Sequence, residues 1–209
     1  MLIQEPYVGA LAHVSSRHRV VQKITQNSDK PVKSAVFVID RDILVTENPD
    51  LISENIVACK VKIQNRIIGI VSIYLQQEQD IEEDLALVGR AIDGLNTAEV
   101  VIGGDINAKS PWWGCIAEDR RGAKTARWLA SLGLEVLNEG NTPTFYTIRG
   151  ATTHSSIVDV TFCSGSLYQK ISSWRVDPDL VTLSDHRGIQ FAISKDRALP
   201  AEAPRKTTS

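Results

Sequence analysis

The chain has 209 residues, 43% hydrophobic and 23% charged, with a formal net charge of −2. That suits one globular domain with a sizeable core, and it excludes a protein that coats nucleic acid through a global positive field. Cys59, Cys115 and Cys163 form no Cys-x-x-Cys pair, which excludes a disulfide framework and a four-cysteine zinc site and suits a reducing compartment.

In chain order, residues 32–39 read as a buried strand, and Cys59 and Cys163 read as small apolar strand residues. Residues 56–63 and 66–74 read as a hairpin turning at Gln64-Asn65. The pattern predicts a helix over 80–95: Asp80 can cap it, Glu82, Glu83 and Asp84 load its positive end, and Ile81, Leu85, Val88, Ile92 and Leu95 make one apolar stripe. Residues 100–102 form a short apolar strand that stops at Gly103-Gly104, and a second helix runs over about 122–132 with Gly133 as its stop. Further strands fall at 134–137, 144–148, 158–163 and 189–193, and residues 195–209 read as a solvated tail or linker after a domain at 1–194. Many strands and few helices favour sheet packed on sheet with helices outside. No apolar run reaches membrane-spanning length and no signal-peptide layout opens the chain, so a soluble intracellular protein without membrane contact is expected.

Four polar clusters sit at strand ends: Gln4-Glu5, Gly103-Gly104-Asp105-Ile106-Asn107, Ile157-Val158-Asp159-Val160 and Ser184-Asp185-His186. Taken singly, each has a plain reading. A lone Glu before Pro6 is more often a solvated group, Gly-Gly-Asp more often an Asx turn, and a strand-end Tyr74 is as often packed as functional. Taken together they supply carboxylates, an amide and an imidazole from separate strand ends, the parts for holding a hard divalent metal against a phosphodiester. No Gly-x-Ser-x-Gly elbow and no phosphate-cradling loop with Lys-Ser/Thr is present.

In order, Gln4-Glu5, Ser72-Ile73-Tyr74, the Gly-Gly-Asp-Ile-Asn and Ile-Val-Asp-Val segments and Ser184-Asp185-His186 resemble the motifs of the endonuclease/exonuclease/phosphatase superfamily. Within it, Gln4 to Val8, Asn107-Ala108-Lys109-Ser110-Pro111-Trp112-Trp113-Gly114, Leu137 to Gly140, Pro143-Thr144-Phe145 and Val158 to Phe162 resemble the endonuclease domain of insect non-LTR retrotransposons, most of all elements that insert into telomeric repeats. The resemblance covers residues 1–193. It implies an α/β four-layered sandwich, two packed and mostly antiparallel β-sheets flanked by helices, of the deoxyribonuclease-I-like kind. It implies hydrolysis of one strand of double-stranded DNA to a 3′-hydroxyl that primes a reverse transcriptase, a nuclear site of action, and a partner reverse transcriptase domain absent from this chain. Relatives open with a strand carrying an Asn and then a helix. Met1 stands where that passage would end, so the chain reads as N-terminally truncated, and Ile157 stands where relatives carry Arg.

The same resemblance implies Mg²⁺, with Mn²⁺ as a substitute, on Glu5 and Asp185, with Asp105, Asn107, Tyr74, Asp159 and His186 as catalytic residues. Asp159 would orient the imidazole, while His186 is either base or phosphate contact. Ser184, Trp112, Trp113, Arg120, Arg121 and Arg149 are candidate substrate contacts, although one tryptophan reads as a core plug and the arginines equally as a solvated helix face. The alternatives are another phosphoesterase of the superfamily, such as an abasic-site nuclease or an inositol-phosphate phosphatase, or an inactive relic.

Overall fold

The computed structural model describes residues 1–24 and 30–194, so the expected tail at 195–209 lies outside the described residues. In chain order come the strands Leu2–Gln4 (β1), Arg19–Val21 (β2), Ser34–Val38 (β3), Leu44–Ile52 (β4), Ile56–Ile63 (β5) and Arg66–Tyr74 (β6). The helix Ile81–Leu95 (α1), the strand Val100–Asp105 (β7) and the helix Arg120–Leu132 (α2) follow. The rest is Leu134–Val136 (β8), Phe145–Arg149 (β9), Thr152–Ser156 (β10), Asp159–Ser164 (β11), the short helix Gly165–Tyr168 (α3), Ile171–Asp177 (β12) and Gly188–Ile193 (β13).

Strands that are apolar on successive residues need cover on both faces, and β5, β6, β7 and β11 receive it. They are the middle of a six-stranded sheet ordered β4-β5-β6-β7-β11-β8, in which only β6 and β7 pair in parallel. Ala58, Val71, Ile73, Ile102, Val160 and Phe162 point to one face, where α1 and α2 close the core. Their neighbours Val57, Cys59, Ile68, Val101 and Cys163 point to the other face and meet Val21, Val36, Trp174 and Phe191 of a second β layer. That layer is in two parts, β1-β3-β2 and β12-β13. Among the described residues the paired helices lie on one outer side only, and no helix is long and apolar enough to cross a membrane.

Asp80 caps α1 by accepting from the Glu82 N–H (3.1 Å). The second helix begins two residues before the sequence pattern suggests, because its cap is Asp119, which accepts from the Gly122 N–H at 2.6 Å. Four strands outside the expected set join it: β2, β4, β10 and β12. The mostly exposed edge strand β4 accommodates Pro49, which a central strand would not. β12 loses its alternation where the register slips between Ser172 and Arg175. The hairpin of β9 and β10 stands apart as an exposed two-stranded ribbon.

Candidate active site

Strand register assembles the site. Tyr74 ends β6, Asp105 ends β7 and Asp159 opens β11, and the ladders set Tyr74 beside Asp105 and Asp105 beside Asp159. One end of three adjacent strands thus carries a row of functional side chains. The row depends on Gly104, whose φ of +152° and close approach leave no room for a side chain: a Cβ there would lie 1.8 Å from the Ile73 carbonyl oxygen. The group that approaches Gly104 so closely is the backbone of β6.

His186 reaches the row from the loop before β13. Its Nδ1–H donates to Asp159 Oδ2 at 2.9 Å, which fixes the tautomer and leaves Nε2 free of that bond. Phe145 packs edge-on against the ring at 5.1 Å. Thr144, wholly buried, accepts the backbone N–H groups of Val158 and Asp159 on its Oγ1, each at 3.1 Å, and its carbonyl accepts from Arg187 N–H at 2.7 Å. Thr144 therefore ties the Asp159 strand to the His186 loop.

Beyond β7 the chain turns sharply. Asn107 takes a left-handed φ of 47°, donating its N–H to Asp105 Oδ1 (2.9 Å) and its amide to Asp105 Oδ2 and the Leu75 carbonyl (both 3.2 Å). Glu5 follows β1, also left-handed at φ 44°, and accepts Lys33 Nζ at 2.8 Å. Below it a polar relay runs from Gln4 Nε2 to Ser72 Oγ (3.0 Å), which also accepts from Ser34 Oγ (2.8 Å).

The electrostatics are those of crowded carboxylates. Burial, then the charge of Asp159, pushes the Asp105 carboxyl up to about 7 against the Asn107 N–H and the His186 charge. Burial alone would lower His186, but its hydrogen bond to Asp159 and the charges of Asp159, Asp105 and Glu5 raise it above its ordinary value. The Tyr74 hydroxyl is raised by burial, then by the charge and hydrogen bond of Glu5. Glu5, Tyr74, Asp105, Asn107, Asp159 and His186 thus form one neighbourhood.

Other expected residues stand elsewhere. Asp185 is exposed, and its carbonyl accepts from Tyr146 N–H (2.8 Å). Among the described residues its carboxylate makes no hydrogen bond or ion pair, and no three His, Cys, Asp or Glu side chains converge as a metal cage. Glu5 and Asp185, the expected metal pair, both carry exposed carboxylates, and the loop at 182–186 is held by its own hydrogen bonds, including Ser184 Oγ accepting the His186 N–H (3.1 Å). Trp113 is wholly buried, with Nε1 donating to the Ala108 carbonyl (3.2 Å), so packing removes it from any ligand surface. Trp112 is half exposed, Arg120 and Arg149 are exposed, and Arg121 turns inward. Lys33, Thr144 and Arg121's inward role escaped the sequence, since each partner is distant along the chain; only the Pro143-Thr144-Phe145 flank hinted at Thr144.

A helix-backed sheet packed on a second β layer, with an Asp–His pair and further carboxylates at one sheet end, defines the deoxyribonuclease-I-like class of nuclease folds. A family model described as endonuclease-reverse transcriptase matches residues 68–190. The endonuclease domain of TRAS1, a telomere-specific non-LTR retrotransposon, is 42% identical over 92% of this chain and 84% of that one, with a TM-score of 0.83. The fold is shared at low identity by the AP endonuclease LMAP from Leishmania major (11% identity, 80% of this chain, 68% of that one, TM-score 0.59). The same holds for the 3′-5′ exonuclease NExo from Neisseria meningitidis (16%, 80% and 78%, TM-score 0.55). No curated protein matches the chain. The chain belongs to the endonuclease-reverse transcriptase family, within the endonuclease/exonuclease/phosphatase superfamily.

Proposed function

We propose that residues 1–194 are a divalent-metal-dependent DNA endonuclease domain that nicks one strand of genomic DNA in the nucleus, leaving a 3′-hydroxyl for a reverse transcriptase to extend. The observation that carries this is the single neighbourhood of Tyr74, Asp105, Asn107, Asp159 and His186, with Glu5 at its margin. In this reading Asp159 holds the imidazole so that His186 presents Nε2 to the scissile phosphate. Asp105 and Asn107, locked together by their two hydrogen bonds, address the reacting oxygens. Tyr74 offers its hydroxyl to a phosphate oxygen, and Trp112, Arg120 and Arg149 are exposed for contacts along the duplex.

The residues fit a hard cation at Glu5, whose half-exposed carboxylate already draws a positive charge, the Lys33 ammonium, while Asp105 and Asp159 add negative field. Mg²⁺ needs only one or two protein carboxylates, with water completing its shell. When bound, it supplies Lewis-acid stabilisation of charge on the phosphate. Mn²⁺ is expected to substitute. Asp185, exposed and uncommitted, is the candidate second ligand.

The test is relaxation of supercoiled plasmid, with and without telomeric repeats, under Mg²⁺ titration. The expected result is a single-strand nick whose end primes a polymerase, lost with EDTA and reduced at least about 100-fold in H186A. A folded chain that nicks nothing at any Mg²⁺ or Mn²⁺ concentration, or an H186A protein at the parent rate, overturns the reading.

A further inference from the structure

Two catalytic segments leave the central sheet side by side: residues 75–80 after β6 and residues 106–110 after β7. Parallel strands share no turn, and past the ladder the exits meet directly only near their start, where Leu75 N–H donates to the Asp105 carbonyl (2.8 Å) and the Asn107 amide to the Leu75 carbonyl (3.2 Å). Arg121, in the first turn of α2, bridges them. Its Nε donates to the Asn107 carbonyl (3.0 Å) and Nη2 to the Ile106 carbonyl (3.3 Å) on one side. On the other side Nη1 donates to the carbonyls of Gln79 (2.7 Å) and Gln77 (3.4 Å).

Two further features bind that helix turn to the site. Lys109 N–H donates to Asp119 Oδ2 (3.2 Å), and Asp119 N–H donates to the Lys109 carbonyl (3.0 Å). Gly122 lets the turn lie on that carbonyl, for a Cβ at 122 would come within 1.8 Å of the Lys109 oxygen. From α1, the buried Asp84, whose Oδ2 has no hydrogen-bond partner, faces the Arg121 charge. A planar fork of five N–H donors can serve four carbonyls at once, and an ammonium cannot reproduce that geometry.

We infer that Arg121 is a positioning residue, not a DNA contact: its guanidinium clamps the exits of β6 and β7 and so sets Asn107, and through it Asp105, for the reaction. The inference rests on the nuclease reading above. A phosphate contact and a positioning clamp differ in what lysine does. For a contact, R121K keeps the charge and much of the activity. For a clamp, the fork is what counts, and R121K fails along with R121A.

The experiment compares parent, R121K and R121A for nicking kinetics, for DNA affinity against salt, and for backbone hydrogen exchange, with folding checked by circular dichroism. Both variants are expected to lose about 10- to 100-fold in kcat, in line with the cost of misplacing a reacting group, with KM nearly unchanged. The salt slope of binding should match the parent, whereas losing a phosphate contact lowers it by about 1. Exchange should speed up within residues 75–80 and 106–110 and stay as in the parent in β4 and β5, and free guanidinium should restore part of the R121A rate. R121K nicking at the parent rate, a reduced salt slope in R121A, or unchanged exchange in both segments overturns the clamp. If the parent itself does not nick DNA, the nuclease reading fails, while hydrogen exchange still decides whether Arg121 holds the two exits together.

Discussion

Replacing Thr144 by Val keeps the shape of the side chain and removes one oxygen. That oxygen is buried and accepts two backbone N–H groups, from Val158 and Asp159, both at 3.1 Å. An unsatisfied buried donor costs about 1–3 kcal/mol, so two give about 2–6 kcal/mol. Sharing one acceptor between two donors weakens each bond and places the expectation at about 2–4 kcal/mol, a large part of the stability of an ordinary domain. Thr144→Ser keeps the oxygen and is expected to cost under about 1.5 kcal/mol, mostly the lost methyl group. Urea unfolding of the three proteins measures both numbers, with equal m-values as the sign that only the native state changed. The freed N–H groups lie at the head of β11, so T144V should also loosen Asp159 from His186 and slow nicking more than its stability loss explains. A T144V midpoint within about 0.5 kcal/mol of the parent, or T144S as damaging as T144V, would refute the reasoning.

Two other substitutions probe the frame. Asp84 has its carboxyl raised from 3.8 to about 6, chiefly by burial. The folded state then binds more protons than the unfolded state between about pH 4 and 6, so this group's contribution to stability is present at low pH and is lost as pH rises through about 6. D84N should flatten that part of the stability–pH curve and gain at most about 3 kcal/mol at pH 7–8; a parent curve already flat from pH 4 to 6 sinks the prediction. Gly104→Ala puts a methyl group 1.8 Å from the Ile73 carbonyl oxygen, so β6 and β7 must part; a loss of more than about 3 kcal/mol is expected, and a variant as stable as the parent would contradict the register.

The central sheet was legible because its strands are apolar on both faces and its turns are punctuated, as at Gln64-Asn65. The helix α1 was legible for a similar reason, since its cap and stripe are local. Edge strands escaped: β4 is mostly exposed and needs no apolar signature, and a slipped register erased the alternation of β12. The boundary of α2 was missed by two residues because its cap, Asp119, sits in a charged run that offers other starts.

For the site, residue types were written in the chain and their grouping was not. Six strand-end residues, Glu5, Tyr74, Asp105, Asn107, Asp159 and His186, were picked out from order and resemblance, and register brings them into one neighbourhood. At Asp185, adjacent to His186 in sequence, the structure shows an exposed carboxylate, while the loop's own hydrogen bonds turn the imidazole inward to Asp159. Local sequence determines chemistry and periodicity, since propensity, capping and alternation act over a few residues. Which distant groups touch is settled by packing: Lys33 on Glu5 across 28 positions, and Arg121 on four carbonyls of two loops, arise only once the sheet fixes where each segment leaves it.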